Sequence, residues 1–291
     1  MRSDTMDLGI HPGVALSAWE PSQVPAFLRT IRELGYRRVV VPLRDFERLD
    51  AASIRAVCAD HEILPITAGN QQPHADISSD DPEIRAAGRQ RLIAMIEFTR
   101  AIGGDHLGGV IYGTLAKSDA PIDARRFERT ARALGALAEG PGAEAGVDLV
   151  CEVVNRYETA MMNTAEQAMR FVSASESTRV KLHLDTFHMN IEESDPIEAV
   201  RIALPALAYL EIGQNHRGLL SDGHLDLQRF VSDAVALGYS GRFGVEAFSA
   251  SVIAPATASA LAIWRMLYDA ENSIARDAAT IVRSALAQAA R

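Results

Sequence analysis

Two chemical groups are nearly missing from this chain. In 291 residues the only thiols are Cys58 and Cys151, and the only side-chain amines are Lys117 and Lys181. Two cysteines are too few for a disulfide framework or a thiolate zinc cage, and the expected compartment is a reducing cytoplasm. Two lysines leave imine chemistry two candidate nucleophiles. Lys181 falls at the start of an expected strand and Lys117 in a loop, which disfavours a Schiff-base aldolase. Positive charge is also short: 29 basic against 38 acidic residues give −9, with no basic tract. That argues against binding a phosphate backbone. No apolar run reaches the roughly 18 residues a membrane span needs, and the opening MRSDTMDLGIH lacks a signal-peptide pattern. Neither membrane nor nucleic acid is expected as a partner.

What is present is a rhythm. Short runs rich in Val, Ile and Leu alternate with longer amphipathic ones, the pattern of parallel strands buried on both faces and separated by helices. Expected strands lie at 7–15, 38–42, 63–68, 106–112, 147–155, 180–185, 207–213 and 242–247. Expected helices lie at 23–34, 51–59, 81–102, 123–137, from 164 onward, 196–204, 227–237 and 256–290, with 139–146 as a flexible turn. Eight strand–helix units predict a single (β/α)₈ TIM barrel over residues 1–291, with a helical C-terminal extension. A doubly wound open sheet is the runner-up. No Gly-x-Gly-x-x-Gly follows the first strand, which weakens its dinucleotide-binding version.

Barrel active sites stand at the C-terminal strand ends. There, Glu152, Asp185, Glu211 and Glu246 interrupt four consecutive apolar strands, at separations of 33, 26 and 35 residues. Each separation is about one strand–helix unit, so the fold would gather four carboxylates around one point. A lone acid at a strand end is more often a salt-bridge or capping partner. Four together would repel each other and pay for desolvation, a cost that a divalent cation removes. Oxygen donors suit Mg²⁺ or Mn²⁺.

At these residues the sequence resembles a known group. Glu152-Val-Val-Asn-Arg-Tyr-Glu158, Leu184-Asp-Thr-Phe-His-Met-Asn-Ile-Glu-Glu193, the Gly213…Arg217-Gly218 segment and Gly244-Val-Glu-Ala-Phe248 are similar to the ketose 3-epimerases. That group belongs to the xylose isomerase-like barrels. The resemblance is dense from about 147 to 248 and weaker over the first half. It implies that Glu152 and Glu246 are the acid/base pair and also metal ligands, and that Asp185 is a ligand. It implies that His188 and Arg217 bind the substrate oxygen on which charge develops, and that Glu158 holds the terminal hydroxyl end and orients His188. Mn²⁺ is the first expectation for the metal, with Mg²⁺ or Co²⁺ as alternatives. One position departs from the pattern: the group has a histidine ligand where this chain has Glu211. His216 or His183 are the other candidates to reach in. His183 faces the same way as Asp185 but lies deeper, and reads as core.

His11, Tyr112 and His216 are candidate substrate contacts, while Lys117 reads as solvated and both cysteines as packed. The loops 69–79 and 113–121 are long and polar, which suggests cover over the pocket. The expected activity is a metal-dependent sugar epimerase or isomerase working through an enediolate. The alternatives are a metal-dependent lyase or dehydratase on a keto sugar or inosose, and a non-catalytic sugar-binding barrel. The expected partners are a small-molecule sugar and a second copy of the chain, as a homo-oligomer (dimer or tetramer).

Overall fold

A computed structural model describes residues 7–268 and 273–289. Eight strands are formed: β1 (Gly9–Ile10), β2 (Arg38–Pro42), β3 (Leu64–Ala68), β4 (His106–Gly109), β5 (Asp148–Val153), β6 (Val180–Asp185), β7 (Leu207–Ile212) and β8 (Arg242–Val245). They lie in one sheet in sequence order. A parallel bridge between Leu8 and Phe243, and a 3.1 Å hydrogen bond from His11 N to Val245 O, join the last strand to the first. Parallel strands in this order, with helices between them, make the (β/α)₈ fold.

The chain groups into two compact units. One draws on Met1–Val41, Ala56–Leu64 and Leu210–Arg291 and carries β1 and β8; the other draws on Pro42–Arg55 and Pro65–Tyr209 and carries β4, β5 and β6.

Strands form where the apolar runs are. Val39, Val40 and Val41 are buried in β2, as are Leu182 and Leu184 in β6. Helices start where an oxygen can take the orphan amides of the first turn. Asp81 accepts from Glu83 N and Ile84 N, Asp123 from Arg126 N, Thr164 from Gln167 N, and Asp195 from Ile197 N and Glu198 N.

Four expectations are corrected. The strand expected at 7–15 stops at Ile10, because Pro12 opens a 3₁₀ turn, Pro12–Val14. The strand expected at 106–112 stops at Gly109, whose φ of +94° is left-handed and whose added Cβ would lie 2.4 Å from Gly69 O. Residues 139–146 are not a flexible turn. A wide helical turn, Ala138–Gly142, accommodates Pro141, which has no amide to donate, and a short helix, Ala143–Ala145, follows. The C-terminal extension is not one continuous helix but Pro255–Ala260 and Ser273–Ala289, with 261–268 irregular.

A helix not foreseen, Thr186–Glu192, follows β6 directly. In the second unit, Gly135 lets helix Ala124–Leu137 approach the end of helix Ala165–Ser175 closely. A Cβ at Gly135 would fall 1.9 Å from Ser175 O.

Candidate active site

The floor of the site is aromatic. Tyr209 on β7 meets the His183 ring edge-on at 4.8 Å and the His106 ring at 5.3 Å. All three are buried. His183 is buried, with its Nδ1 3.9 Å from Glu152 Oε2. Two residues farther along the same faces stand Asp185 on β6 and Glu211 on β7, each 1% exposed.

The second unit holds one cluster. His188 Nε2 lies 3.5 Å from Glu152 Oε1 and 3.7 Å from Asp185 Oδ2. Asp185 Oδ1 accepts from Phe187 N at 2.9 Å. This cap starts helix Thr186–Glu192 and sets His188 three residues on, back over the carboxylate. The far side of the ring is held by Asn155, a residue the sequence reading gave no role. Its backbone amide donates to His188 Nδ1 at 3.2 Å and its Nδ2 lies 2.8 Å from the same atom. Asn155 Oδ1 accepts from Tyr157 N, so Nδ2 is the donor, and it also reaches Glu158 Oε1 at 3.0 Å. Nδ1 is thus an acceptor, which places the proton of a neutral His188 on Nε2, toward the carboxylates. Glu158 and His188 thus share Asn155 Nδ2 as a hydrogen-bond partner.

The first unit holds another. His11 Nε2 lies 3.4 Å from Glu211 Oε1, and His11 Nδ1 lies 3.7 Å from Glu246 Oε1. Arg217 donates to Glu246 Oε2 at 2.7 Å, and its guanidinium sits 5.0 Å over the Phe248 ring. Arg217 has a φ of +59°, uncommon for a side-chain-bearing residue. Hydrogen bonds from its N to Gln214 O and from Phe248 N to its own O hold it there.

The family described as xylose isomerase-like TIM barrel matches residues 28–270. The chain belongs to the xylose isomerase-like TIM-barrel family. A ketose 3-epimerase of Arthrobacter globiformis is 31% identical over 97% of both chains. An L-ribulose 3-epimerase of Mesorhizobium japonicum is 32% identical over 98% of this chain and 95% of its own. A solved D-allulose 3-epimerase from Methylomonas sp., in complex with D-allulose, superposes with a TM-score of 0.90 at 29% identity, covering 97% of each chain.

Several expected site residues of this family member lie elsewhere than foreseen. Tyr112 is not open pocket lining. It is fully buried, its ring rests on Phe171, and its hydroxyl donates to the Glu152 carbonyl at 2.7 Å. Its role is to support β5. His216 turns back on its own loop, where Nδ1 accepts from Gly218 N at 3.0 Å. Among the described residues, His216 belongs to no group of possible metal ligands. His11 faces the Glu211 and Glu246 carboxylates. The loop 69–79 is pinned rather than poised: Gln71 Oε1 accepts from Ile77 N, and Arg126 and Arg129 both donate to Ser78 O. Gln214 is buried and organises its loop, donating to Leu220 O and Leu225 O and accepting from Leu225 N.

The two terminal acids of the 184–193 motif are structural. Glu192 accepts from Arg156 at its backbone N and its guanidinium. Burial works against the Glu192 carboxylate, but the Arg156 bonds outweigh it and hold its pKa below the ordinary value. Glu193 Oε1 accepts from Ala165 N at 2.7 Å, and burial pushes its pKa up. Both cysteines are buried, and burial pushes the Cys58 thiol up to about 12 and Cys151 higher still. Neither is a reactive thiolate.

The donors suit a divalent ion. Glu152, Asp185 and His188 present ligand atoms within 4.8 Å of one another, and so do His11, Glu211 and Glu246. Carboxylate oxygens with imidazole nitrogen can hold a divalent ion, and no thiol joins either group. No described helix is long and apolar enough to cross a membrane.

Proposed function

We propose that this chain is a 3-epimerase of a free ketose, dependent on a divalent ion, Mn²⁺ first, held by Glu152, Asp185, Glu211 and Glu246. The observation that carries the reading is the pair of carboxylate–imidazole clusters at the ends of consecutive strands β5 to β8. The relatives named as ketose and L-ribulose 3-epimerases, matched over nearly their full length, favour epimerisation over dehydration.

The bound ion would polarise the ketose carbonyl and its neighbouring hydroxyl, easing charge development in the enediolate. The chain's residues do the rest. One of Glu152 and Glu246 takes the C3 proton as a carboxylate. The other, carrying a proton, returns one to the opposite face, so the centre inverts and no electron acceptor is needed. Arg217 holds Glu246 by Oε2 and fixes its aim. His188, with its proton on Nε2, donates to the substrate oxygen, and Glu158 receives the distal hydroxyl end.

Two further readings belong to this proposal. The buried, unpaired thiols suit a reducing cytoplasm. The exposed Trp264 and Met266 suit a homo-oligomer contact.

The test is a panel of free ketoses, aldoses and ketose phosphates in D₂O with Mn²⁺, followed by NMR. Deuterium appearing at C3 of a free ketose, together with its C3 epimer, is the expected result. Turnover of phosphorylated sugars alone, or deuterium at C1 with aldose formation, overturns it.

A further inference from the structure

His11 is set where a ligand would be, just past the end of β1 and far in sequence from the carboxylates it faces. Its backbone is held on both sides. Its amide donates to Val245 O at 3.1 Å, and its carbonyl accepts from Val14 N at 3.3 Å as Pro12–Val14 turns away. The imidazole therefore has a fixed root between β1 and β8.

Nε2 lies 3.4 Å from Glu211 Oε1, and the other ring nitrogen, Nδ1, lies 3.7 Å from Glu246 Oε1. Both exceed the 2.7–3.2 Å or so of a hydrogen bond to nitrogen. The Nε2–Glu211 distance is that of donors that share an ion, which at about 2.1 Å from a metal stand roughly 3.0–3.5 Å apart, and ligand atoms of His11, Glu211 and Glu246, one from each, lie within 4.8 Å of one another. Charge points the same way. Glu211 is 1% exposed and Glu246 already faces Arg217. A neutral ring nitrogen adds a donor to this group without adding a third negative charge.

We propose that His11 supplies a ring-nitrogen ligand to the divalent ion alongside Glu211 and Glu246. This inference rests on the metal-dependent reading above. It makes His11 a metal ligand rather than a sugar contact, and gives the first-unit cluster one nitrogen and two oxygens.

The test reads the metal directly. Mn²⁺-loaded protein is examined by electron spin-echo envelope modulation, which detects ¹⁴N bound to the ion, and Mn²⁺ affinity is measured by calorimetry. Wild type shows nitrogen modulation. His11→Gln loses it and binds Mn²⁺ about 10- to 100-fold more weakly, while His188→Gln keeps it. Adding Glu211→His to His11→Gln restores both modulation and affinity. Should His11→Gln not fold, Glu211→His alone serves, and its expected spectrum shows two nitrogens. Modulation that persists undiminished in His11→Gln, or a one-nitrogen spectrum in Glu211→His, overturns the inference. Wild type that binds Mn²⁺ through oxygen alone also overturns it and leaves the epimerase reading standing. Wild type that binds no Mn²⁺ removes both.

Discussion

Asn155 grips His188 twice, through its backbone amide and its side-chain Nδ2, both directed at Nδ1. The ring is left one protonation pattern when neutral, with its hydrogen on Nε2. Asn155→Leu removes the side-chain donor and the bridge to Glu158. Epimerisation is expected to fall about 10- to 100-fold with Mn²⁺ affinity nearly unchanged. ¹⁵N NMR of the imidazole should show a mixture of tautomers in place of one.

Glu152 and Glu246 are expected to be needed together. Glu152→Gln and Glu246→Gln should each lower turnover by at least about 10²-fold, since an amide neither takes nor gives the proton. Exchange of the C3 hydrogen with D₂O should stop in at least one of the two, and the variant that stops it identifies the base for that epimer.

Removal of divalent ions by a chelator should abolish turnover, and Mn²⁺ or Co²⁺ should restore it, with Mg²⁺ weaker. The check is activity of dialysed protein titrated with each ion. Undiminished turnover in metal-free protein would contradict the mechanism.

Glu192 and Glu193 are sequence neighbours whose pKa values move in opposite directions from the same ordinary value of 4.5. The depressed Glu192 contributes stability that is present above 4.5 and lost as pH falls through its lower folded value. The raised Glu193 contributes stability that is complete below 4.5 and lost as pH rises through its higher folded value. Thermal melts across pH should therefore show wild type ahead of Glu192→Gln at neutral pH, with the gap closing in acid. Against Glu193→Gln, wild type should lose ground as pH rises.

Gly135→Ala should destabilise the fold by about 1–3 kcal/mol, because its methyl meets the Ser175 carbonyl and neither helix end can yield freely. Denaturant midpoints give the measurement. The active-site metal affinity of the folded variant should be unaltered.

Much of this molecule was legible because burial writes itself into residue type. The RVVVP and VKLHLD runs could only be strands between helices, and β2 and β6 lie where the pattern put them. The four carboxylates stood out because an acid in such a run needs a reason. The ends of β1 and β4 were less legible, since they depend on Pro12 and on the backbone of Gly109. Asn155 was hidden, and His11 was legible only as a sugar contact, for another reason. Each faces residues far away in sequence, and no local spacing announces that. Tyr112 misled because a polar aromatic after a strand reads alike whether its hydroxyl meets a substrate or a carbonyl.

The pairing of Leu8 with Phe243 has a consequence for how the chain assembles. On a ribosome, the first strand emerges long before its neighbour on that side exists. β1 must wait, with one edge open, until almost the whole chain has been made. His11 and Glu246 meet at that same late moment. A truncated product therefore keeps an exposed strand edge, a template for aggregation, and lacks one of the two proposed acid/base groups as well. Completion of the sheet and arrival of that group coincide.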